Sequence, residues 1–172
     1  FQRLNNEVNF NAGVAVVQPL AGGMVDMINE QDGLYTLFMN GVKKNEKIQD
    51  IELITNIVRG INPFVDYQSY LDLAKEEELE FIISNTTEAG IEYVETDTLE
   101  MQPAGSFPAR LTVLLHERFK HFKGDASKGV TIIPCELINY NADTLKEIIL
   151  KYCDLWRLDN SFKSWLVESC TY

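Results

Sequence analysis

The sequence is poor in the residues that build disulfide frameworks and metal sites. Its 172 residues include only three cysteines and two histidines. Cys135, Cys153 and Cys170 are widely spaced and form no Cys-x-x-Cys pair. An odd number of cysteines at such spacing disfavours a disulfide framework, and a structural zinc site needs closely spaced cysteine and histidine ligands. We therefore expect no metal site, and we expect reduced cysteines in a cytoplasmic protein.

Long apolar runs and an excess of basic residues are also missing. The longest apolar runs fall well short of the ~18 residues that a membrane-spanning helix requires. Acidic residues outnumber basic ones by 26 to 15, which gives a net charge of −11. Surfaces that bind nucleic acid are basic. We therefore expect neither a membrane nor a nucleic acid as a partner.

What the sequence does contain is an ordinary apolar content of 45% and an alternation of strand and helix patterns. The predicted order is a strand, a hairpin, a helix, a strand, a helix, a strand and two further helices. Such an order is typical of an α/β protein in which helices cover a mostly parallel sheet. We predict a Rossmann-like, doubly wound sheet with an antiparallel hairpin insertion.

The hairpin is predicted from residues 34–54. Residues 34–39 (LYTLFM) are rich in strand-forming residues, and Asn40-Gly41 follows as a strong two-residue turn signal. The return strand is predicted over residues 47–54, where apolar and polar residues alternate.

Two predicted strands end in polar segments. Residues 81–83 (FII) are apolar without alternation, which predicts a strand covered on both faces, and SNTTE follows at 84–88. Residues 130–134 form the second strand, and CELINYN follows at 135–141. Ligands of open parallel sheets bind beyond the carboxyl ends of the strands. We therefore predict that these two strand ends form the two sides of one site.

The longest predicted helix begins near Pro108, with Ser106 or Phe107 at its cap. His116 and His121 lie on this helix five residues apart, so they face different sides. We expect both histidines at the surface or at the rim of a site rather than acting as a catalytic pair.

Four segments in this order resemble the N-terminal domain of a known family. They are 31–36 (QDGLYT), 84–91 (SNTTEAGI), 107–112 (FPARLT) and 133–141 (IPCELINYN). Together they resemble the mannitol dehydrogenase-type family of polyol dehydrogenases. The resemblance covers nearly the whole chain.

The resemblance implies NAD as the cofactor and the metal-independent reduction of a small-molecule keto sugar acid. In this family a first strand and a glycine-rich turn bind the pyrophosphate. Both lie upstream of the position that matches Phe1. The catalytic lysine belongs to a helical C-terminal domain beyond Tyr172. Residues 1–172 are therefore expected to be a nucleotide-binding domain fragment. It would lack the first strand and glycine-rich loop, show an interrupted sheet, and be inactive without the C-terminal catalytic domain.

Two residues match positions near the family's reaction centre. Asn141 matches an asparagine that hydrogen-bonds the reacting oxygen, where an amide N–H would stabilise developing negative charge. Asn141 also suits the N-cap of the next helix, as does Asp143. Glu88 matches an acid near the mouth of the active site, although a glutamate in the first turn of a helix is also common.

The remaining candidate cofactor-binding residues are Asn85, Thr86, Thr87 and Gln18. Thr86 and Thr87 are predicted to contact the nicotinamide side of the cofactor or, alternatively, to cap a helix, and Asn85 is predicted to bind the cofactor. Gln18 stands where Rossmann folds often place an acid on the ribose hydroxyls. The absence of an acid there leaves the choice between NAD and NADP open, and Asp26 is a weak substitute.

Other functions also agree with the sequence. The acidic composition and the lack of a Gly-x-Gly-x-x-Gly turn also suit a non-catalytic α/β binding or assembly module. A related enzyme of the same family, acting on a different sugar or sugar acid, is a further possibility. Binding of NADH distinguishes an enzyme from a binding module.

Overall fold

The computed structural model describes residues 1–87 and 89–172, apart from the side chain of Lys43. The chain divides into two compact units, Phe1–Asp66 and Tyr67–Tyr172. No helix in the described residues is both long enough and apolar enough to span a membrane.

The first unit is a strand–helix–strand arrangement with a hairpin inserted before its last strand. Its elements in chain order are α1 (Gln2–Val8), β1 (Val14–Val17), α2 (Val25–Glu30), β2 (Tyr35–Lys43), β3 (Glu46–Ile54) and β4 (Ile57–Ile61). β1 and β4 pair in parallel, in the register Val17↔Ile61. A parallel pair needs a crossover connection, and α2 together with the hairpin provides it.

α2 is tied to β4 by a side chain and by a close backbone approach. The Asn29 amide accepts a hydrogen bond from the Gly60 N–H at 2.7 Å and donates one to the Gly60 carbonyl at 3.0 Å. Gly33 has a φ of 74°, and a Cβ atom there would lie 2.1 Å from the Ile57 carbonyl oxygen. Only glycine suits both this conformation and this contact.

The hairpin forms as predicted, but its turn lies four residues further along the chain. Lys44 and Asn45 form the turn, both with positive φ (51° and 64°). Asn40 and Gly41 lie inside the ladder, opposite Gln49 and Ile48. The prediction of a turn at Asn40-Gly41 is therefore wrong. Two consecutive residues with positive φ match the right-handed strand twist, asparagine tolerates this conformation, and the longer ladder gains the additional strand pairing.

The second unit packs helices on a parallel strand pair. Its elements are α3 (Tyr67–Asp72), a 3₁₀ turn (Leu73–Lys75), β5 (Phe81–Ser84), α4 (Phe107–His121), a second 3₁₀ turn (Ala126–Lys128), β6 (Thr131–Pro134), α5 (Asn141–Leu155) and α6 (Asn160–Glu168). Its core joins side chains of α4, α5 and α6, among them Leu111, Leu115, Leu145, Ile149, Phe162 and Leu166. The predicted helix start at Pro108 is confirmed: Ser106 is the N-cap, and its Oγ accepts from the Ala109 N–H.

β5 is not covered on both faces. Along β5 the exposure alternates, so Phe81 and Ile83 are exposed while Ser84 is buried. Ile133 of β6 is also exposed. The prediction from the unbroken apolar run is therefore wrong in this respect, because such a run does not by itself reveal which face is packed.

A buried arginine connects α4 to neighbouring segments of the second unit. Arg118 on α4 is 1% exposed. Its guanidinium group donates hydrogen bonds to main-chain carbonyls in three separate places: Lys128, Leu79, and Ala74 with Glu76. Backbone oxygens rather than a carboxylate therefore satisfy this charge and connect α4 to the segments around it.

The fold class is confirmed. The described strands form the parallel pairs β1–β4 and β5–β6 and the antiparallel hairpin β2–β3. Parallel pairs, helical crossovers and a hairpin insertion are the features that the sequence predicted.

Candidate functional site

β5 and β6 end side by side. They pair in parallel up to Ser84↔Pro134, and the Cys135 N–H donates to the Ser84 carbonyl at 2.8 Å. The polar segments after the two strands therefore emerge at the same edge. This is the arrangement that the sequence predicted for the two sides of a site.

The Glu136 carboxylate joins these two strand ends. Glu136 follows β6 and is 3% exposed. Its Oε1 accepts from the Thr86 N–H at 3.0 Å and from the Thr86 hydroxyl at 2.8 Å. Its Oε2 accepts from the Ser84 hydroxyl at 3.1 Å. All three donors belong to the end of β5 and the residues that follow it.

These hydrogen bonds keep Glu136 ionised. Burial raises the pKa of the carboxyl group, but the bonds from Thr86 and Ser84 outweigh burial and leave the pKa below its usual range. Glu136 was not among the predicted site residues. The available signal was an acid two residues after an apolar strand, a position where it must find donors or stay exposed.

Asn141 holds the connection between β6 and α5. Its Nδ2 donates to the Pro134 carbonyl at 2.8 Å and to the Glu136 carbonyl at 3.1 Å. Its Oδ1 accepts from the Ala142 N–H at 2.8 Å. Both amide protons are thus engaged with the main chain of the strand end.

Asn141 is not the N-cap of α5. The helix begins at Asn141 itself, and Tyr140 precedes it in the left-handed region with a φ of 54° and no side-chain cap. The predicted caps at Asn141 and Asp143 are therefore wrong, because the Asn141 amide bonds back to the strand end instead.

Tyr140 and Leu137, on the same connection, are 80% and 86% exposed.

The segment after β5 is irregular and exposed. Asn85, Thr86 and Thr87 adopt neither helix nor strand, and the next described helix is α4. The prediction that the threonines cap a helix is therefore wrong. Within residues 1–87 and 89–172, the Asn85 and Thr87 side chains are exposed and make no side-chain hydrogen bond. Glu88 lies outside the described residues.

Gly90 lets the chain turn back tightly beside Thr86. Its N–H donates to the Thr87 carbonyl at 2.7 Å. A Cβ atom at Gly90 would lie 1.8 Å from the Thr86 hydroxyl oxygen. A side chain at this position would therefore displace Thr86 from Glu136.

In the first unit, Gln18 follows β1, and its Oε1 accepts from the Met24 N–H at 2.6 Å. It thereby satisfies a main-chain amide at the start of α2, which needs an acceptor from outside the helix. Asp26 lies exposed in the first turn of α2.

The two histidines differ in their surroundings. His121 is exposed, as predicted. His116 is half-buried against Phe162, with ring centroids 5.0 Å apart. Burial and then the nearby Lys120 lower the pKa of His116. In the described part of the chain, no cluster of histidine, cysteine or acidic side chains is arranged to hold a metal ion.

Parallel strands joined by helices, with polar residues at their carboxyl ends, define a Rossmann-type domain, a fold class that binds dinucleotides there. The chain belongs to the family described as the mannitol dehydrogenase Rossmann domain, whose model matches residues 2–172.

Curated relatives are similar over nearly the whole chain. An altronate oxidoreductase of Bacillus subtilis (strain 168) is 48% identical over 170 residues, which is 99% of this chain and 35% of the relative. An altronate oxidoreductase of Bacteroides thetaiotaomicron is 48% identical over 167 residues, which is 97% of this chain and 35% of the relative. The chain thus spans about a third of the length of these relatives.

A solved structure shares the fold. The ternary complex of Pseudomonas fluorescens mannitol 2-dehydrogenase with NAD and D-mannitol superposes with a TM-score of 0.72 at 15% identity, over 93% of this chain and 34% of that one. At this level of identity the similarity establishes the fold alone.

Proposed function

We propose that this chain is the cofactor-binding part of an NAD-dependent oxidoreductase that reduces D-tagaturonate to D-altronate in hexuronate breakdown. The similarity to altronate oxidoreductases over 99% of the chain carries this proposal. The chain spans 35% of that relative's length, so the catalytic lysine and most of the substrate pocket would come from the rest of a longer polypeptide. The free cysteines suit the reducing cytoplasm.

The residues after β5 fit the polar edge of a nicotinamide ring. Asn85 and Thr87 are exposed beside the β5–β6 strand ends. An amide and a hydroxyl can each donate and accept hydrogen bonds, as a carboxamide group requires. We assign Asn85, Thr86 and Thr87 to this edge of the cofactor. Glu88 follows them in sequence and is assigned to the mouth of the same site.

Asn141 is proposed to act on the reacting oxygen of the substrate. When bound, NADH supplies the hydride for the keto carbon. The Asn141 amide would exchange its longer bond, the 3.1 Å bond to the Glu136 carbonyl, for the substrate oxygen. The Glu136 carbonyl would keep a donor in the Ile138 N–H at 2.9 Å, so the exchange leaves no buried carbonyl unpaired. An amide N–H aimed at a developing alkoxide lowers the energy of the transition state.

Gln18 is proposed to contact the ribose hydroxyls of the cofactor. Its Oε1 is engaged with Met24, while its Nε2 makes no hydrogen bond among the described residues and can donate. A neutral amide repels neither a hydroxyl nor a 2′-phosphate, so NADH and NADPH should both be tested.

The test is steady-state kinetics of the full-length protein. We expect NADH oxidation with D-tagaturonate, and no turnover by residues 1–172 alone. D-fructuronate and D-fructose serve as competing substrates, because related family members would reduce them. A preference for either would reassign the substrate. Failure of the full-length protein to bind NADH or NADPH would instead favour a non-catalytic binding module.

A further inference from the structure

We propose that Glu136 is a positioning residue that holds the turn after β5 in the shape that meets the cofactor. This inference rests on the proposed function. It assigns a role to a residue on β6's side of the site, which acts through Thr86 rather than by touching the cofactor itself.

The first support is the nature of the contact. A carboxylate that is 3% exposed would ordinarily be costly. Among the described residues Glu136 has no lysine or arginine partner, and hydroxyl and main-chain donors of Ser84 and Thr86 surround it. The β5 end therefore supplies the donors that keep this charge in place.

The second support is that, among the described residues, Glu136 makes the hydrogen bonds that attach the turn to β6's side of the site beyond the ladder. The last ladder bond between the strands ends at Ser84, whose carbonyl accepts from Cys135. Beyond it, Thr86 is attached to β6's side of the site through the Glu136 carboxylate, by both its N–H and its hydroxyl. Asn85 and Thr87 flank that attachment point and are exposed. Fixing Thr86 thus limits where its two neighbours can present their side chains.

The third support is that Glu136 connects both halves of the site. Its carbonyl accepts from the Asn141 amide, while its carboxylate accepts from Thr86. Until the substrate oxygen replaces the Glu136 carbonyl as acceptor, one residue therefore links the segment assigned to the nicotinamide edge with the residue assigned to the reacting oxygen. A small displacement of positioning groups is enough to reduce catalysis greatly.

Two substitutions of Glu136 test whether its hydrogen bonds to Thr86 position the turn. In Glu136→Gln, the amide oxygen can still accept both bonds from Thr86, and the Nε2 can donate to the Ser84 hydroxyl, which then becomes an acceptor. In Glu136→Ala, both bonds to Thr86 are lost. If positioning is the role, glutamine preserves most of it and alanine does not.

Asp97→Asn provides a matched control. Asp97 is also buried and accepts main-chain N–H bonds, from Gly105 at 2.8 Å and Ser106 at 3.0 Å. It contacts Tyr152, which lies about 16 Å along α5 from Asn141. This variant disturbs a buried carboxylate in the same unit while leaving the strand ends intact.

The experiment uses the full-length protein and three readouts: the dissociation constant for NADH by fluorescence titration, hydrogen exchange of peptides containing Thr86, and thermal unfolding. We expect Glu136→Ala to weaken NADH binding at least tenfold and to speed exchange at Thr86. We expect Glu136→Gln to stay within threefold of the unmodified protein. Asp97→Asn should lower the unfolding temperature without changing NADH affinity.

Three results would overturn the inference. They are unchanged NADH affinity in Glu136→Ala, equal losses in the alanine and glutamine variants, and an equal loss in Asp97→Asn at a matched unfolding temperature. Failure of the proposed function looks different. Either the unmodified protein would bind no NADH or NADPH, or NADH would bind in a Glu136-dependent way while D-tagaturonate would not be reduced.

Discussion

The Tyr152 hydroxyl of α5 lies 3.3 Å from the carboxylate oxygen Oδ2 of Asp97, a buried residue of the irregular segment that joins β5 to α4. The same hydroxyl accepts from the Val94 N–H at 2.9 Å and lies 3.0 Å from the Ser106 hydroxyl. Asp97 in turn accepts from two main-chain amides at the start of α4. A long segment without regular structure is thereby anchored to α5 by side chains.

Removing the Tyr152 hydroxyl should loosen this anchor. Tyr152→Phe leaves the Val94 N–H without its acceptor, at an expected cost of about 1–3 kcal/mol. For a domain of this size that corresponds to a fall of roughly 2–12 °C in unfolding temperature. Differential scanning calorimetry of the full-length protein measures it. Tyr93→Phe is the control, because the Tyr93 hydroxyl makes no hydrogen bond among the described residues, and a change of comparable size there would contradict the prediction.

The lowered pKa of Asp97 predicts how the free energy of unfolding depends on pH. Burial raises the pKa of Asp97, but its hydrogen bonds, that with Ser106 first among them, leave it below the usual range. A group whose pKa is lower in the folded state stabilises above its unfolded pKa of about 4, and this contribution fades as pH falls. Asp97→Asn should therefore be less stable than the unmodified protein at pH 7, and the difference should narrow below about pH 4. Urea unfolding midpoints across pH 3–7 measure this, and a gap that widens in acid would be incompatible with it.

The hairpin offers a direct test of register. Gly41 lies in the ladder, where a Cβ atom would meet Ile48 at an ordinary 3.7 Å. Gly41→Ala should therefore be neutral or slightly stabilising, because alanine reduces the freedom of the unfolded chain. Asn45 has positive φ, a conformation that glycine adopts without steric cost, so Asn45→Gly should be neutral or stabilising by up to about 1 kcal/mol. Thermal unfolding of the two variants checks the register. A loss above about 1 kcal/mol in Gly41→Ala would move the turn to Asn40-Gly41.

The cysteines should react at very different rates. Cys135 is exposed beside the strand ends, whereas Cys153 and Cys170 are buried. Burial raises the pKa of the Cys153 thiol to about 12 and also raises that of Cys170, and only the thiolate is reactive. Brief iodoacetamide treatment of the native protein should label Cys135, and labelling of the other two should require denaturant. Peptide mass spectrometry identifies the sites, with Cys135→Ser as the control.

Much of the fold follows from local patterns, and the parts that do not have a common cause. The start of α4 was predictable because Ser106 and Pro108 act within one helical turn. The hairpin turn was misplaced because Asn40-Gly41 is a strong local signal that strand pairing over the full ladder outweighs. The alternating exposure of β5 was hidden because residues 81–83 are all apolar, so the sequence does not mark the packed face.

The candidate site likewise has features that the sequence predicts and features that it does not. The two strand ends were predictable, since parallel strands finish at a common edge. The roles of individual side chains were not, because they depend on contacts across that edge. Glu136 reaches Thr86 from fifty residues away in sequence. Asn141 turns back to Pro134 rather than capping α5, and no local rule distinguishes these two uses of an asparagine.

The arginine at the centre of the second unit has a consequence for the response of the protein to salt. The partners of Arg118 are uncharged carbonyl oxygens, and the group is shielded from water. Dissolved ions weaken attraction between exposed charges such as Lys75 and Asp72, but they have no counter-charge to compete with here. The contacts that fasten α4 in place should therefore persist from dilute buffer to molar electrolyte, even though the chain carries a large excess of acidic groups.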